Sequence, residues 1–556
     1  MQLTVYDWLI IFAYFAGVAA VGLIGGLRMK GTQTYFMGNR RFSPWVMIGQ
    51  SFSVGTHPEM IVAVSGAVYS TGASAIWYQW KNLFATPFYW IMAPIFRRVR
   101  RTTTAEFVEE RYGPWMAGIY TLFALSFLTI NTATLLKGAG KVINQALGGT
   151  VGVNQVVVGM TIVFIFYSFI GGRLATAWNM VIQGILIVTL SFMLIPLGWP
   201  LVGGMGGMRS VLEPFRFSIV TPEGIGPWVI FMLTINGLIG IMAQPHIMAS
   251  VGSGRDEISC RAGFFYGNFV KRFCTVGWTL VGLMTAALVA KEVFGTEVLP
   301  DPEDAFGFAA RHLLFPGLLG LLIAAILAAS MAACSAFMVD SGALFTQSLY
   351  RRYLSKQAAD VHYLWVGRIS GFLIAMAGVL YAVFLIERVL YSFLLTETMA
   401  TYVGISLAGG LIWRRANRWG ALASLLAAFT TNFSLYYLRG ERIDHWDPDV
   451  FLASLLAGCV ALFLGSWLTR REDTRTIDSL FSRLETPSDG ETEVERGDPA
   501  REGKQLLLLN LLHLRRGAGG AGLGQAYRID LVGLLRGFLL VCALVAATWL
   551  LLSLGA

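Results

Sequence analysis

The residues of this chain that could do chemistry stand where an apolar sequence should have none. Ser51–Ser65 reads SFSVGTHPEMIVAVS, and His57 and Glu59 fall in the middle of an apolar run from Trp45 to Tyr69. That run is long enough to cross a bilayer as a helix. An imidazole and a carboxylate at that depth are costly, and mark a binding site or a proton path. Gly55 and Pro58 interrupt the same stretch, since proline removes a backbone donor and glycine is conformationally loose. Irregular backbone is tolerated at membrane depth only where protein or water satisfies the freed carbonyls. The stretch therefore reads as the broken helix of a transporter, the alternative being a proline-kinked structural helix with a satisfied histidine.

Two further charges lie inside apolar runs. Lys81 follows Tyr78-Gln79-Trp80 in the next span. Counted at about 1.5 Å per residue from the shared outer loop, it comes level with Glu59 in the antiparallel neighbour. A Glu59–Lys81 pair would remove each partner's cost of burial; the alternative is that Lys81 snorkels outward. Trp77, Tyr78 and Trp80 either line a cavity or form an interfacial aromatic belt. Glu397, between Thr396 and Thr398 within Tyr391–Trp413, faces a vestibule, takes part in proton coupling, or is a carboxylate bonded to its threonines. Lys137, Lys271 and Arg272 lie close enough to helix ends for snorkelling to be the default.

The elements that must position these residues are membrane helices. The 556 residues are 55% hydrophobic and only 13% charged, with a mean hydropathy of +0.62. These values exclude an ordinary soluble protein. About fourteen apolar runs of roughly 20 residues follow one another. They include Trp8–Leu27, Val151–Ile170, Leu174–Leu197, Pro227–Met248, Phe264–Ala290, Leu318–Phe345 and Leu531–Leu554. The fold class expected is an all-α polytopic membrane protein. Five cysteines without metal-ligand spacing read as small core residues, and no catalytic constellation suggests an enzyme.

Basic clusters alternate with neutral or acidic loops. Arg97/Arg98/Arg100/Arg101, Arg351/Arg352/Lys356, Arg414/Arg415/Arg418 and Arg470/Arg471 fall on one side if the N-terminus is outside, and Asp444/Asp447/Asp449 on the other. The net charge of +9 thus sets topology and meets anionic lipid, and is not a nucleic-acid footprint. Both termini are expected outside the inner membrane of a bacterium. Residues 1–470 form the core, 471–529 a flexible cytoplasmic segment, and 530–556 a last helix. Gln505–Leu514 reads as an amphipathic helix at the membrane surface. The G-x-G-x-x-G in Gly517–Gly524 has no preceding strand, so it is not a dinucleotide site.

Three stretches carry a resemblance to a known family. Tyr35–Tyr69, YFMGNRRFSPWVMIGQSFSVGTHPEMIVAVSGAVY, is similar to the second helix region of the sodium:solute symporters. Thr103–Gly113, TTAEFVEERYG, resembles their inner loop, and Ala408–Ala421, AGGLIWRRANRWGA, the end of their tenth core helix. The resemblance spans roughly residues 5 to 470. It implies a LeuT-type core of two inverted five-helix repeats behind one extra helix, carrying a small polar solute with sodium. The second repeat would start at Pro227–Met248, which contains Asn236, Gly237, Gly240 and Pro245 and is interrupted in turn. Paired interrupted helices point to the binding site, making Asn236 a solute-site candidate. Gln79 matches a position that faces the substrate in sugar carriers.

The family's sodium position maps onto the carbonyls of Ser53 and Thr56 and onto Ala329, Ala332 and Ala333. A hard cation wants oxygen ligands, and the family has hydroxyls where this chain has Ala332 and Ala333. Ser330 and Ser335 are near in sequence but point elsewhere on a helix. Met180 stands where the sugar carriers have an aspartate. The expectation is a secondary carrier, with Na+ as the coupling ion the resemblance implies and no other cofactor. Protons through His57, Glu59 or Glu397 are the rival. A transporter-like membrane sensor, or an uncoupled carrier, is the alternative class.

Overall fold

The computed structural model describes residues 3–27, 40–222, 225–295, 299, 301–386, 388–441, 446–488, 505–511 and 523–555. Among these every regular element is a helix, and the one β-type contact is an isolated bridge between Phe42 and Gly254. In chain order the helices that matter here are α1 (Val5–Leu27), α2 (Pro44–Val54), α3 (Pro58–Thr71), α4 (Thr86–Arg98), α5 (Thr104–Tyr112), α6 (Pro114–Ala146) and α7 (Val153–Phe192). They continue as α8 (Pro227–Gly240), α9 (Pro245–Val251), α10 (Glu257–Ala290), α11 (Ala305–Leu313) and α12 (Leu318–Leu344). The chain ends with α13 (Asp360–Phe384), α14 (Val389–Ile412), α15 (Arg418–Arg439), α16 (Pro448–Leu468), α17 (Thr474–Glu485) and α18 (Arg528–Ser553).

Among the described residues, eight single helices are long and apolar enough to cross a membrane, and the bent pair α8–α9 makes a ninth span. The sequence suggested about fourteen. Part of the difference lies at interruptions, where α2 and α3 are 11 and 14 residues long with three residues between them. Part lies in α7, a single 40-residue helical element that runs through both of the expected spans Val151–Ile170 and Leu174–Leu197 and across Gly171-Gly172 between them. With no proline there, two glycines cost only about 1 kcal/mol each inside a helix.

The stretch resembling the inner loop is bound to the one resembling the tenth-helix end. Thr103 caps α5, accepting from the Glu106 backbone while the Glu106 carboxylate accepts from the Thr103 N–H. Arg111 then donates to the carbonyls of Gly410 (2.8 Å) and Trp413 (3.1 Å), and the Tyr112 hydroxyl to that of Ser406 (2.6 Å). The basic loops gather on this same face. Arg352 pairs with Glu109, Arg101 and Arg483 with Glu110, and Arg414 with Asp478 and Glu485 of α17. Segment 471–529, expected to be a flexible connector, thus contains a helix held by ion pairs; the acidic stretch 489–504 lies outside the described residues. Residues 505–511 form turns, and Leu506 and Leu509 are buried in the core rather than spread on a membrane surface. The Leu507 N–H donates to Asp530, whose carboxylate pairs with Arg261 at 2.5 Å, both buried, docking α18 on α10. Cys260, Cys274 and Cys334 are buried as expected, whereas Cys459 and Cys542 lie on exposed helix faces.

Candidate functional site

Both helix breaks have the same local cause. Residues 55–57 leave the helix, His57 is extended (φ −131°, ψ 162°), and Pro58 opens α3 where a missing N–H costs nothing. In the second break Gln244 is extended (φ −64°, ψ 122°), Pro245 opens α9, and the axis turns by 64°. Between the two breaks lies a cavity of ≈ 50 Å³, lined by both of them together with α6, α10, α12 and α14. That is room for about four waters. Phe127, Phe337 and Phe393 supply apolar wall, and Asn131, Asn268 and Ser250 polar wall.

Three charged systems face this cavity. In the first, Nδ1 of His57 and Oε1 of Glu59 are 2.7 Å apart, while Nε2 meets the carbonyl of Val54. A carbonyl only accepts, so Nε2 carries a hydrogen, and Nδ1 and the carboxylate share one further proton. The dyad is therefore neutral as a unit. In the second, Lys81 donates to Glu397 (3.1 Å), whose other oxygen accepts from the Gln244 amide (2.9 Å), with the ammonium 4.5 Å from the Phe393 ring centre. The third is Lys271 with Arg272, the latter donating to the Gln79 carbonyl at 2.9 Å. Around the first break the hydroxyls of Ser51 and Thr56, both amide atoms of Gln50 and Oε2 of Glu59 are buried without a hydrogen-bond partner among the described residues. Each such group costs about 1–3 kcal/mol, which points to water or a ligand at this level.

The family model of the sodium:solute symporters matches residues 35–428. The chain belongs to the sodium:solute symporter family. It is a multi-pass membrane transporter rather than an enzyme. Among curated relatives, the osmoregulated proline transporter OpuE of Bacillus subtilis is 25% identical over 478 residues, 82% of this chain and 94% of that protein. Sodium/proline symporter 2 of Staphylococcus saprophyticus is 26% identical, covering 75% of this chain and 84% of the relative. Among solved structures, a substrate-bound, outward-open Na+-coupled sialic acid symporter superposes with a TM-score of 0.72 at 17% identity, over 85% of this chain and all of that one. The nucleobase-cation-symport transporter Mhp1 reaches a TM-score of 0.51 at 14% identity, over 81% of this chain and 98% of that one. At such identities these two likenesses speak for the fold.

The symporter's expected site residues separate into those at the cavity and those beside it. His57 and Glu397 line it, with Glu59 bound to the first and Lys81 to the second. The expected Glu59–Lys81 pair does not form. The depth count assumed a continuous helix, but residues 73–98 run as a 3-10 turn, a four-residue helix at Trp77–Trp80 and an irregular turn before α4. This sends Lys81, only 1% exposed, toward α14 instead of α3 and rules out snorkelling. Gln79 is buried away from the cavity, and its carbonyl serves Arg272. Asn236 bonds Thr398 (3.1 Å) and accepts from Thr401 through its carbonyl, fastening α8 to α14. Trp77 and Trp80 form neither belt nor lining; both are buried with their N–H groups on the Ile219 and Arg272 carbonyls.

Sequence reasoning missed Lys271. Its helix starts at Glu257, not Phe264, so Lys271 and Arg272 lie deep in a helix and are buried. The missed signal is spacing: Gly263, Gly267 and Lys271 recur every four residues on one helix face. A Cβ at Gly263 would come within 2.6 Å of Met47, and one at Gly267 within 2.8 Å of Ser51.

The residues onto which the resemblance maps a sodium ion lie on the other side of the first break. Val54, Met180 and Ala336 form a buried apolar cluster there. Ala329 and Ala333 are fully buried on α12; Ala332 lies on the same helix. The Ser53 hydroxyl donates to the Met180 carbonyl at 2.5 Å, and the Thr56 hydroxyl is buried without a partner. Ser330 and Ser335 both return their hydroxyls to carbonyls of their own helix, at 2.8 and 2.6 Å.

Proposed function

We propose that this protein is a secondary active symporter that moves a small polar organic solute by alternating access. The observation that carries this reading is the cavity held between two proline-opened helix breaks. A solute there touches both broken helices, so rocking of one helical half against the other could expose it to either side. The two breaks support a LeuT-type pair of inverted repeats. The gathered basic loops, with the bacterial relatives, support a cytoplasmic-membrane location with the termini outside. Sodium is the coupling ion the family supplies, held by the Ser53 and Thr56 carbonyls and the Thr56 hydroxyl, with Ala329, Ala332 and Ala333 on the opposing helix.

A second reading, proton coupling, is favoured by the His57–Glu59 dyad. The dyad holds one shared proton at the break itself, whereas the sodium position offers methyl groups where oxygens are wanted. Purified full-length protein in proteoliposomes tests both. Saturable uptake of a solute from a panel of amino acids, sugars and carboxylates is expected, driven by a sodium gradient in the first case and by an inward proton gradient in the second. Tight binding without net flux under either gradient would make the protein a sensor and overturn the carrier reading.

A further inference from the structure

We propose that the groove between α4, α10 and α18 is a binding site for one anionic glycerophospholipid, on the membrane face where the basic loops gather. The site is separate from the central cavity and does not depend on which solute or ion is carried. Three observations converge. First, packing builds the groove. The Trp90 indole donates to the Ile529 carbonyl at 3.0 Å, and Gly533 lies against that ring, where a Cβ would overlap it. One turn on, a Cβ at Gly537 would come within 2.9 Å of Pro87 and 3.0 Å of Phe265. These glycines bring α18 onto α4 and α10 along one edge and leave an open groove of ≈ 570 Å³ beside it. Its aromatic wall is fixed, since Trp90 meets Phe265 and Tyr266 edge-on with ring centres 6.1 and 6.5 Å apart.

Second, the groove holds two cations that the protein leaves unanswered. Its neighbouring arginines are paired, Arg98 with Glu257 and Arg261 with Asp530. Asp530 is the one acidic residue of α18 and already holds Arg261 and the Leu507 N–H. Arg528 and Arg536 line the groove, are exposed, and have no carboxylate partner among the described residues. Arg536 stands eight residues into an apolar helix, about 12 Å from its start. A guanidinium there is costly. Snorkelling toward the headgroups lowers that cost, and a phosphate removes it, because the planar guanidinium pairs with phosphate through two parallel N–H bonds.

Third, charge and apolar wall lie side by side. Arg528 and Arg536 are about two turns apart on one helix, so extended side chains can close on a single phosphodiester between them. The Tyr266 hydroxyl, without a hydrogen bond among the described residues, borders the same groove. Trp90, Phe265 and Val532 offer a surface on which the first part of an acyl chain can lie. A free phosphate would use the arginines and leave this surface unused; a lipid uses both. Basic pockets between membrane helices are suited to anionic headgroups in this way.

The test is native mass spectrometry of the delipidated full chain in detergent, titrated with phosphatidylglycerol or with phosphatidylcholine of the same chains. The first phosphatidylglycerol is expected to bind at least about tenfold more tightly, the worth of one charge-assisted hydrogen bond. Arg528→Gln combined with Arg536→Gln should abolish that preference, whereas Lys356→Gln, on a basic loop of the same face, should leave it. A photoactivatable phosphatidylglycerol, reactive near its glycerol, should label the wild-type protein within 86–98, 257–270 or 525–540. A wild-type preference near unity, or label confined to other segments, overturns the inference whether or not the variants fold. So does a folded double variant that keeps the full preference. Glycerol phosphate, the headgroup without its chains, should not displace the lipid at equal concentration; full displacement would mean a site for soluble phosphate and overturn the lipid reading.

Discussion

One helix break looks two ways in this protein, and the two sides have been built differently. Toward α7 and α12 it meets Val54, Met180, Ala336 and the buried alanines, a patch whose side chains offer a cation almost nothing. Toward α10 and α14 it meets His57, Glu59, Lys271 and Glu397, more charge than a passive wall would carry. Both sides derive from residues 53–59. The comparison teaches that the backbone break and the ligand set are separable. Proline and glycine make the carbonyls available, and neighbouring helices decide whether an ion, a proton or a solute uses them.

The largest expected effect comes from breaking the charged side. Removing one partner of the buried Lys81–Glu397 pair strands the other, a loss of about 3–5 kcal/mol. Lys81→Met and Glu397→Gln should each lower the thermal midpoint of the solubilised protein and abolish uptake. The pair reversed, Lys81→Glu with Glu397→Lys, should recover part of the stability. Additive losses in the reversed protein, read by a double-mutant cycle, would show that the two charges do not act together.

Next is the dyad. Glu59→Gln keeps the shape but removes the carboxylate that shares the proton with His57. If protons couple, uptake driven by a pH gradient should fall at least about tenfold, while exchange of labelled for unlabelled solute at equal pH survives. Equal losses of both would make Glu59 a structural group only.

A smaller effect is expected from rebuilding the apolar side. Ala332→Ser with Ala333→Ser returns the hydroxyls that family members place there. Solute binding should become several-fold tighter in sodium than in potassium relative to the parent protein. No change in ion preference would mean that Met180 and Ala336, and not the two alanines, keep the ion out.

How much of this was legible beforehand follows the physics of each element. The breaks were readable because proline acts locally: Pro58 and Pro245 each stand at the first position of a helix, where the missing N–H is tolerated. His57 and Glu397 were readable because charge in an apolar run is conspicuous. The partner of Lys81 was not, since a 3-10 turn, a short helix and a bend between residues 73 and 86 rotate it by an amount no periodicity encodes. Nor was the place of Lys271 at the cavity, because it depends on where α10 begins and on how closely Gly263 and Gly267 let α2 approach. Gln79 and Asn236, expected at the solute, instead bond neighbouring helices here. A polar residue inside a span can as well hold one helix to another as face a solute.

The smallest effect tests whether charge imbalance is answered differently away from the bilayer. At Asp301–Asp304 three carboxylates share one cation, with Lys141 donating to Asp301 (2.9 Å) and to Glu303. Here the surplus is negative. It is relieved by protonation: burial first, and then the neighbouring Asp301 charge, push the Asp304 carboxyl up to about 6 from its usual 3.8. A carboxyl raised in this way stabilises the fold below its unfolded value near 3.8, and that contribution is lost as pH climbs through 6. Asp304→Asn should therefore raise the melting temperature at pH 7.5, by an amount corresponding to about 1 kcal/mol after allowance for solvent. The gain should shrink to nothing by pH 4, and the Gln145 hydrogen bond to this side chain (2.7 Å) can persist to the asparagine. A gain that stays constant between pH 4 and 7.5 would mean the surplus is absorbed by Lys141 alone.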